Sequence, residues 1–418
     1  MKIQLLVLLF LIPTYIFSAH QTALARLQVL TRHQMSEQPM KSDSSNDIFL
    51  RLLPAHILPS DINGPVDVTG NRLVHIAAGQ DDVNALEVLQ TLGADLTRLN
   101  DSGYAPVHIA VTNGMIGTIK FLCEQRGISL DSKCLDGSGV LHRLIDAGNY
   151  GFNEKIMQSL ITPLNITFTD LSGRTPLILA ASLSRSQVIA HLLKATEDAD
   201  QLNRQDFFGN TALHYACMRL GPWAAWIAQQ LLARNVRTNI LNRDGASVLQ
   251  FACYDPADCC GAHLKLPVVS ALLRQGVSVN IPDGNGTTAL HNAAFTGNEV
   301  VIEALLELGA KVNARETAGV TPLHLASAQG HTAVVTKLMK KNAEIHCKTF
   351  HGHTPLHFAA IENRHEATIK CLVEEHHADV HAKDQQGKKP SQLASNEKVK
   401  ELLERYESEI TKKIASKL

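Results

Sequence analysis

The chain has 418 residues, more than one hydrophobic core usually organises, so several domains or an array of repeats is expected. Apolar residues make up 45% and charged residues 19%, which excludes wholesale disorder. The 39 basic and 40 acidic residues leave a formal net charge of -1, so the chain as a whole offers no electrostatic footprint for nucleic acid.

The first element is Met1-Lys2-Ile3-Gln4 leading into an apolar run from Leu5 to Ile12, then Pro13. A short basic start before such a run has the layout of a secretory signal peptide. The run falls short of the roughly 20 residues that a membrane-spanning helix needs. Ala23-Leu24-Ala25 supplies a small-x-small cleavage motif, with Ser18-Ala19 as a second, so residues 1–25 are expected to be a signal peptide or, uncleaved, an anchor. Export to the periplasm or beyond follows, with no stable membrane span once the signal is removed. Residues 26–46 read as a flexible linker and residues 47–70 as an N-terminal capping segment, in which Gly64 to Gly70 has the composition of a hairpin. Leu53 to Ile62 has a leucine–proline character reminiscent of an F-box, but Pro54, Pro59 and Pro65 argue against a continuous helix there.

From residue 71 one frame recurs. Thr321-Pro-Leu-His324 and Thr354-Pro-Leu-His357 stand 33 residues apart, each with a glycine two positions earlier, Gly319 and Gly352. The frame starts at positions 72, 105, 139, 175, 211, 247, 288, 321, 354 and 389, with one long step that marks an insertion around Tyr254 to Leu266. A repeat of this length cannot bury its own apolar face and must stack on a neighbour, so one continuous stack is expected, weakest at the insertion after Cys253. Threonine suits the helix N-cap, proline the first helical position, and a glycine such as Gly309 the left-handed cap at the end of a second helix. The frame histidines can hydrogen-bond to the backbone of the next repeat, which explains seven of the 20 histidines as packing residues: His75, His108, His142, His214, His291, His324 and His357.

With Gly-x-Thr-Pro-Leu-His-x-Ala, a Val-Val-x-x-Leu-Leu helix and Gly-Ala-x-Val-Asn in order, the chain resembles the ankyrin-repeat family over residues 60 to 405. The resemblance implies an all-α repeat fold, an ankyrin-type solenoid of helix-turn-helix units joined by β-hairpin loops. The array is expected over residues 71–387 and a C-terminal capping repeat over 388–418, where Val399, Leu402, Leu403 and Tyr406 form an apolar stripe on a charged helix. It also implies a non-enzymatic, monomeric scaffold that binds another protein through hairpin tips and the inner helix face.

No phosphate-binding loop, nucleophile elbow or His-Glu-x-x-His helix occurs, so no catalytic residue, cofactor or metal site is assigned, and an enzyme with an unrecognised site is the remote reading. Two groupings resemble metal sites but lack a ligand pattern. Cys253, Cys259, Cys260 and His263 lack a second paired motif, and His346, His351, His353, His376, His377 and His381 lack an acidic or cysteine partner at a recognised spacing. Phe207 and Phe208, in Asp206-Phe-Phe-Gly209, and Phe350-His351, in Thr349-Phe-His-Gly352, occupy tip positions that the resemblance implies are usually polar, so these four are the candidate partner-binding residues. Trp223 and Trp226 are expected to pack.

The eight cysteines show no disulfide framework and read as cytosolic, in conflict with the exported N-terminus. A bacterial effector delivered into a host cell reconciles the two, and the glutamate-rich tail from Glu401 to Leu418 resembles C-terminal type IV secretion signals. Natively expressed protein is expected to lack residues 1–25 on N-terminal sequencing; a start at Met1 in a soluble cytosolic fraction overturns the export reading.

Overall fold

The computed structural model describes residues 62–125, 127–148, 154–219, 221–254, 262–361, 366–394 and 396–416. The expected signal peptide, the linker and the F-box-like segment up to residue 61 lie outside these, as do Cys259 and Cys260.

Each frame residue directly precedes a short helix: Arg72 before Leu73–Gly79, Ala105 before Pro106–Asn113, and so on to Lys389 before Pro390–Leu393. A second helix follows, as in Glu299–Glu307 and Thr332–Lys340, and packs against the first. The chain divides into two compact units, Met1–Leu171 and Ser172–Leu418, at Leu171–Ser172 rather than at the insertion after Cys253. In the first unit the inner helices Leu73–Gly79, Pro106–Asn113 and Val140–Ala147 stack in order. In the second, those from Pro176–Ser182 to Pro390–Leu393 do the same. The core is a layer of Val, Leu, Ile and Ala from both rows of helices, among them Leu141, Ile145, Ile189, Leu290 and Leu338. On the final helix, Glu397–Ala415, Val399, Leu403 and Tyr406 are buried as the stripe requires, and Lys389 Nζ meets Glu407 at 2.7 Å.

The segments expected as β-hairpins are tight turns. Among the described residues no strand forms, only the isolated antiparallel bridges Lys133–Gly139 and Leu241–Ser247. In most of these turns a polar side chain adds to a backbone bond across the turn, such as Asp206 N–H to Asn210 O at 3.0 Å. Asp206 Oδ1 accepts the backbone N–H groups of Phe208 and Asn210, both at 2.9 Å, and Asn242, Asp283, Glu316 and Asp384 do the same two and four residues on. This is the Asx-type turn by which short polar side chains mimic backbone. Successive tips are then tied by one backbone bond each: Arg243 N–H to Phe208 O at 2.9 Å, Gly284 to Asp244 at 2.6 Å, Thr317 to Asn285 at 2.8 Å, Phe350 to Ala318 at 2.9 Å and Gln385 to His351 at 3.0 Å. The frame glycine makes the tie possible. Gly209 has φ +76, and a Cβ there would lie 2.7 Å from the amide nitrogen of Arg243.

The frame histidine links each inner helix to the next repeat. The backbone N–H of Thr321 donates to His324 Nδ1 at 3.2 Å, so that nitrogen is the acceptor and the proton sits on Nε2, which faces the His353 carbonyl at 3.1 Å. His75 reaches Tyr104 at 2.8 Å, His291 reaches Val320 at 3.2 Å, and His357 reaches Lys388 at 3.2 Å in the same way. In His108 and His214 this nitrogen faces Ser132 and Ala246 without good hydrogen-bond geometry. Gln250 fills the slot without titrating: its Oε1 accepts from Ser247 N–H at 2.6 Å and its Nε2 donates to Thr287 O at 2.7 Å.

Burial holds His75, His291 and His357 below the usual histidine range and takes His108, His214 and His324 down to about 4. Protonation would also set an N–H against the cap N–H at Nδ1. Between about 4 and the ordinary histidine value of about 6.5, the unfolded chain therefore binds protons that the folded one refuses. The stability these histidines contribute is complete above that interval and is lost as pH falls through it. Melting temperature should drop between about pH 7 and about pH 5, and less steeply in a His214→Gln/His324→Gln variant that copies Gln250. An equal slope in both proteins contradicts the assignment.

Candidate partner-binding surface

The tip residue one place after the first turn residue projects, because its own N–H is tied to the preceding tip and the turn is closed beneath it by bonds such as Gly209 N–H to Asp206 O and Gly352 N–H to Thr349 O, both at 2.9 Å. Phe207 and Phe350 occupy this place, and Phe208 the next. They are 57%, 63% and 62% exposed. Phe207 and Phe350 do touch the tip before. The ring of Phe207 covers Gly173, and a Cβ on Gly173 would stand 2.6 Å from its Cδ1; the ring of Phe350 lies beside Gly319. Contact with the preceding tip and exposure thus coexist, and each ring leaves more than half its surface to solvent.

The structure does not gather the four candidate residues. Phe207 and Phe208 share one tip, Phe350 and His351 another, and the tips at Asn242, Asp283 and Glu316 stand between them. His351 is exposed, with its ring 6.3 Å from that of His353, which stacks on His357 at 5.6 Å and approaches Asp384 Oδ2 at 3.5 Å. Trp223 departs from the packing expected of it. It is 60% exposed, because the helix Pro222–Ala233 turns Ala224, Ile227, Ala228, Leu231 and Leu232 inward instead, while Trp226 is half-buried.

Beside the Phe207–Phe208 tip lies a hollow of 720 Å³, lined by Arg243, Asp244, Phe251, Tyr254, Asn285 and Asn292 with the intervening turns. The tip place two steps on from Phe207, after Arg243, is Gly284, which contributes no side chain to the hollow. Tyr254 stacks on Phe295 with ring centroids 6.1 Å apart and forms one wall. Much of the polar lining is already engaged: Asp283 in its own turn, Gln250 across the repeat, and Asn292 Nδ2 on the Gln250 carbonyl at 3.0 Å. Arg243 and Asp244, both exposed on the rim, are the charges that face solvent. Sequence reasoning missed this hollow, although Gly284 in the frame was its signal. It also missed Val68, Leu135 and Leu171 in the first unit, exposed apolar residues at the same tip place as Phe207.

The model for the family "Ankyrin repeats (3 copies)" matches residues 141–244, 224–316, 259–349 and 323–414. Among curated proteins, the chain is 27% identical over 253 residues to the human transient receptor potential cation channel subfamily A member 1, covering 59% of this chain and 19% of the channel. It is 34% identical over 174 residues to human neurogenic locus notch homolog protein 2, and 36% identical over 157 residues to notch homolog protein 1 of Xenopus laevis. These cover 42% and 38% of this chain and 5% of either relative. The chain therefore spans only a small part of the length of the proteins it matches.

Replacing Phe207, Phe208 and Phe350 together by alanine should shift stability only slightly, since substitutions of exposed side chains usually stay within about 0.5 kcal/mol each. A loss of roughly 3 kcal/mol or more per ring, the cost of truncating a packed core phenylalanine, would show that the rings serve the fold. Chemical denaturation of the triple variant separates the two. The tip ladder, the histidine links and the matched residues together make the chain a member of the ankyrin-repeat family.

Proposed function

We propose that the chain is a non-enzymatic protein-binding scaffold whose main contact surface is the Phe207–Phe208 tip with the adjoining hollow. The observation that supports this most is two exposed phenylalanines on a tip held by backbone bonds on both sides, whose bonded neighbour at Arg243 and Asp244 lines a 720 Å³ hollow. Aromatic anchors beside a concave patch are where binding energy concentrates at interfaces. A rigid tip also spares the ordering cost that a mobile loop incurs on association. Phe350 and His351 form a second, smaller contact further along. The partner is a protein offering an apolar side chain to the rings and polar groups to Arg243 and Asp244.

The test starts from capture of partners by the full chain, followed by affinity measurement with each purified partner. Phe207→Ala/Phe208→Ala should weaken binding by about 1–2 kcal/mol or more per ring, with Phe350→Ala weaker in effect. Unchanged affinity in the triple variant would place the contact on the inner helices instead.

The cysteines favour a second element of this reading. None of Cys123, Cys134, Cys217, Cys253, Cys347 and Cys371 forms a disulfide, most of them are buried, and burial pushes Cys123 up to about 11 and raises Cys134, Cys347 and Cys371. Held protonated by burial, Cys134 and Cys347 have the character of inert structural thiols. They suit work in a reducing compartment after export, as for an effector that acts in a host cytoplasm. Thiol counting on natively isolated protein should find these cysteines reduced; intermolecular or internal disulfides would point to an extracellular site of action.

A further inference from the structure

The step from the frame at Thr354 to that at Lys389 is 35 residues, two more than the 33 before it, and one of the two added residues falls at the end of the second helix. Between Leu338 and Ala343, and between Leu305 and Ala310, four residues make the turn; between Leu372 and Ala378 there are five. The helix that begins at Glu366–Lys370 absorbs the extra residue by widening into a π-turn over Cys371–Glu375, closed by His376 N–H on the Cys371 carbonyl at 3.2 Å. Such one-turn widenings frequently coincide with functional sites. Here the widening changes which side chains meet. Cys371 Sγ lies 3.6 Å from Glu375 Oε2, and the two atoms lie with a ring nitrogen of His376 within 4.8 Å of one another. Cys371 is buried, Glu375 exposed, and His376 half-buried with its Nε2 enclosed and without a hydrogen-bond partner. His377 follows at φ +57, in the left-handed position that glycine or asparagine takes in other repeats, and so turns the chain away behind the cluster.

We propose that Cys371, Glu375 and His376 form a binding site for a zinc-class divalent cation. The donor set is a thiolate, an imidazole and a carboxylate, the combination that zinc accepts. Zinc–sulfur and zinc–oxygen bonds of about 2.3 and 2.0 Å at a tetrahedral angle place the two donors about 3.5 Å apart, close to the separation found. The orphaned ring nitrogen gains the partner it lacks. Binding replaces the S–H bond of Cys371 by a sulfur–metal bond and releases that proton to solvent, and the fourth position, on the side of exposed Glu375, is left to water or to a partner's side chain. Of the six clustered histidines only His376 belongs to this site, and its partners come from its own helix end rather than from the neighbouring tips.

The test is a titration of the untagged, reduced full chain with Co²⁺, followed by displacement with Zn²⁺. The expected result is one cobalt per chain with a thiolate-to-cobalt charge-transfer band in the near ultraviolet that zinc abolishes. Cys371→Ser should remove the band. His376→Asn and Glu375→Gln should each weaken binding by at least about 10-fold, as loss of a direct ligand should cost no less than loss of an outer partner. Cys347→Ser, a buried thiol elsewhere in the same unit, should leave the titration unchanged. Should Cys371→Ser fail to fold, the two surface-side variants decide alone. Cobalt binding without a thiolate band, a band that survives Cys371→Ser, or wild-type affinity in both His376→Asn and Glu375→Gln would overturn the proposal.

Discussion

The frame imidazole, held between the cap of its own helix and the carbonyl of the next repeat, is the contact on which the stack depends. Its two nitrogens have different tasks fixed by elementary bonding. A backbone N–H can only donate, so Nδ1 must accept, and the proton left on Nε2 must find an oxygen. That oxygen belongs to the residue just before the next frame position, as with Tyr104, Val320, His353 and Lys388. One side chain therefore closes a helix N-terminus and sets the register of the following unit at once. Gln250 shows that the geometry, not the imidazole, is the requirement, since an amide presents the same acceptor and donor.

The tip ladder works by the same economy of groups. Most turns satisfy their own N–H groups with a carboxylate or amide, the Thr349 turn with a hydroxyl, and keep one N–H and one carbonyl for their neighbours. The backbone ladder does not need the side chain at the projecting tip place, although Gln385 Nε2 adds a bond to the Phe350 carbonyl at 2.5 Å. Valine, leucine, phenylalanine, arginine, glycine, threonine and glutamine all occur there without change in the backbone bonds. A position that the fold does not constrain is one where exposure of a large apolar ring has no structural rationale, which is what makes Phe207 and Phe208 informative.

The fold was legible in the sequence because its constraints are local and repeated. The Thr-Pro-Leu-His frame, the glycine two places before it and the left-handed glycine after the second helix each have one conformational meaning. What could not be read was side-chain direction where the frame gives no instruction. Trp223 belongs to a helix with more apolar residues than its inner face can hold, and the alanines and leucines, being better fitted to a close helix contact, displace it to the surface. The sequence shows the turn residues but not that only isolated bridges form beside them among the described residues, nor that Asp206 and Asn242 each take two amides of their own turn. The six clustered histidines are grouped by nearness in sequence, whereas the side chains that stand within 4.8 Å of His376 and could share an ion with it are Cys371 and Glu375, at its own helix end.

Departures from the repeat length then become more telling than the repeat itself. An added residue in a tip or linker is absorbed by solvent-facing chain and leaves no trace in the core. At a helix end packed on both sides it cannot be absorbed that way, because Leu372 and Ala378 must still meet the same neighbours as Leu338 and Ala343 do one repeat earlier. The backbone widens by one residue per turn, the i and i+5 side chains come into contact, and Cys371 faces His376 where an ordinary helix would part them. A grouping of sulfur, carboxylate and imidazole found in no other copy among the described residues accompanies a single added residue, and the buried sulfur and enclosed imidazole nitrogen mark the place where the fold departs from its repeat.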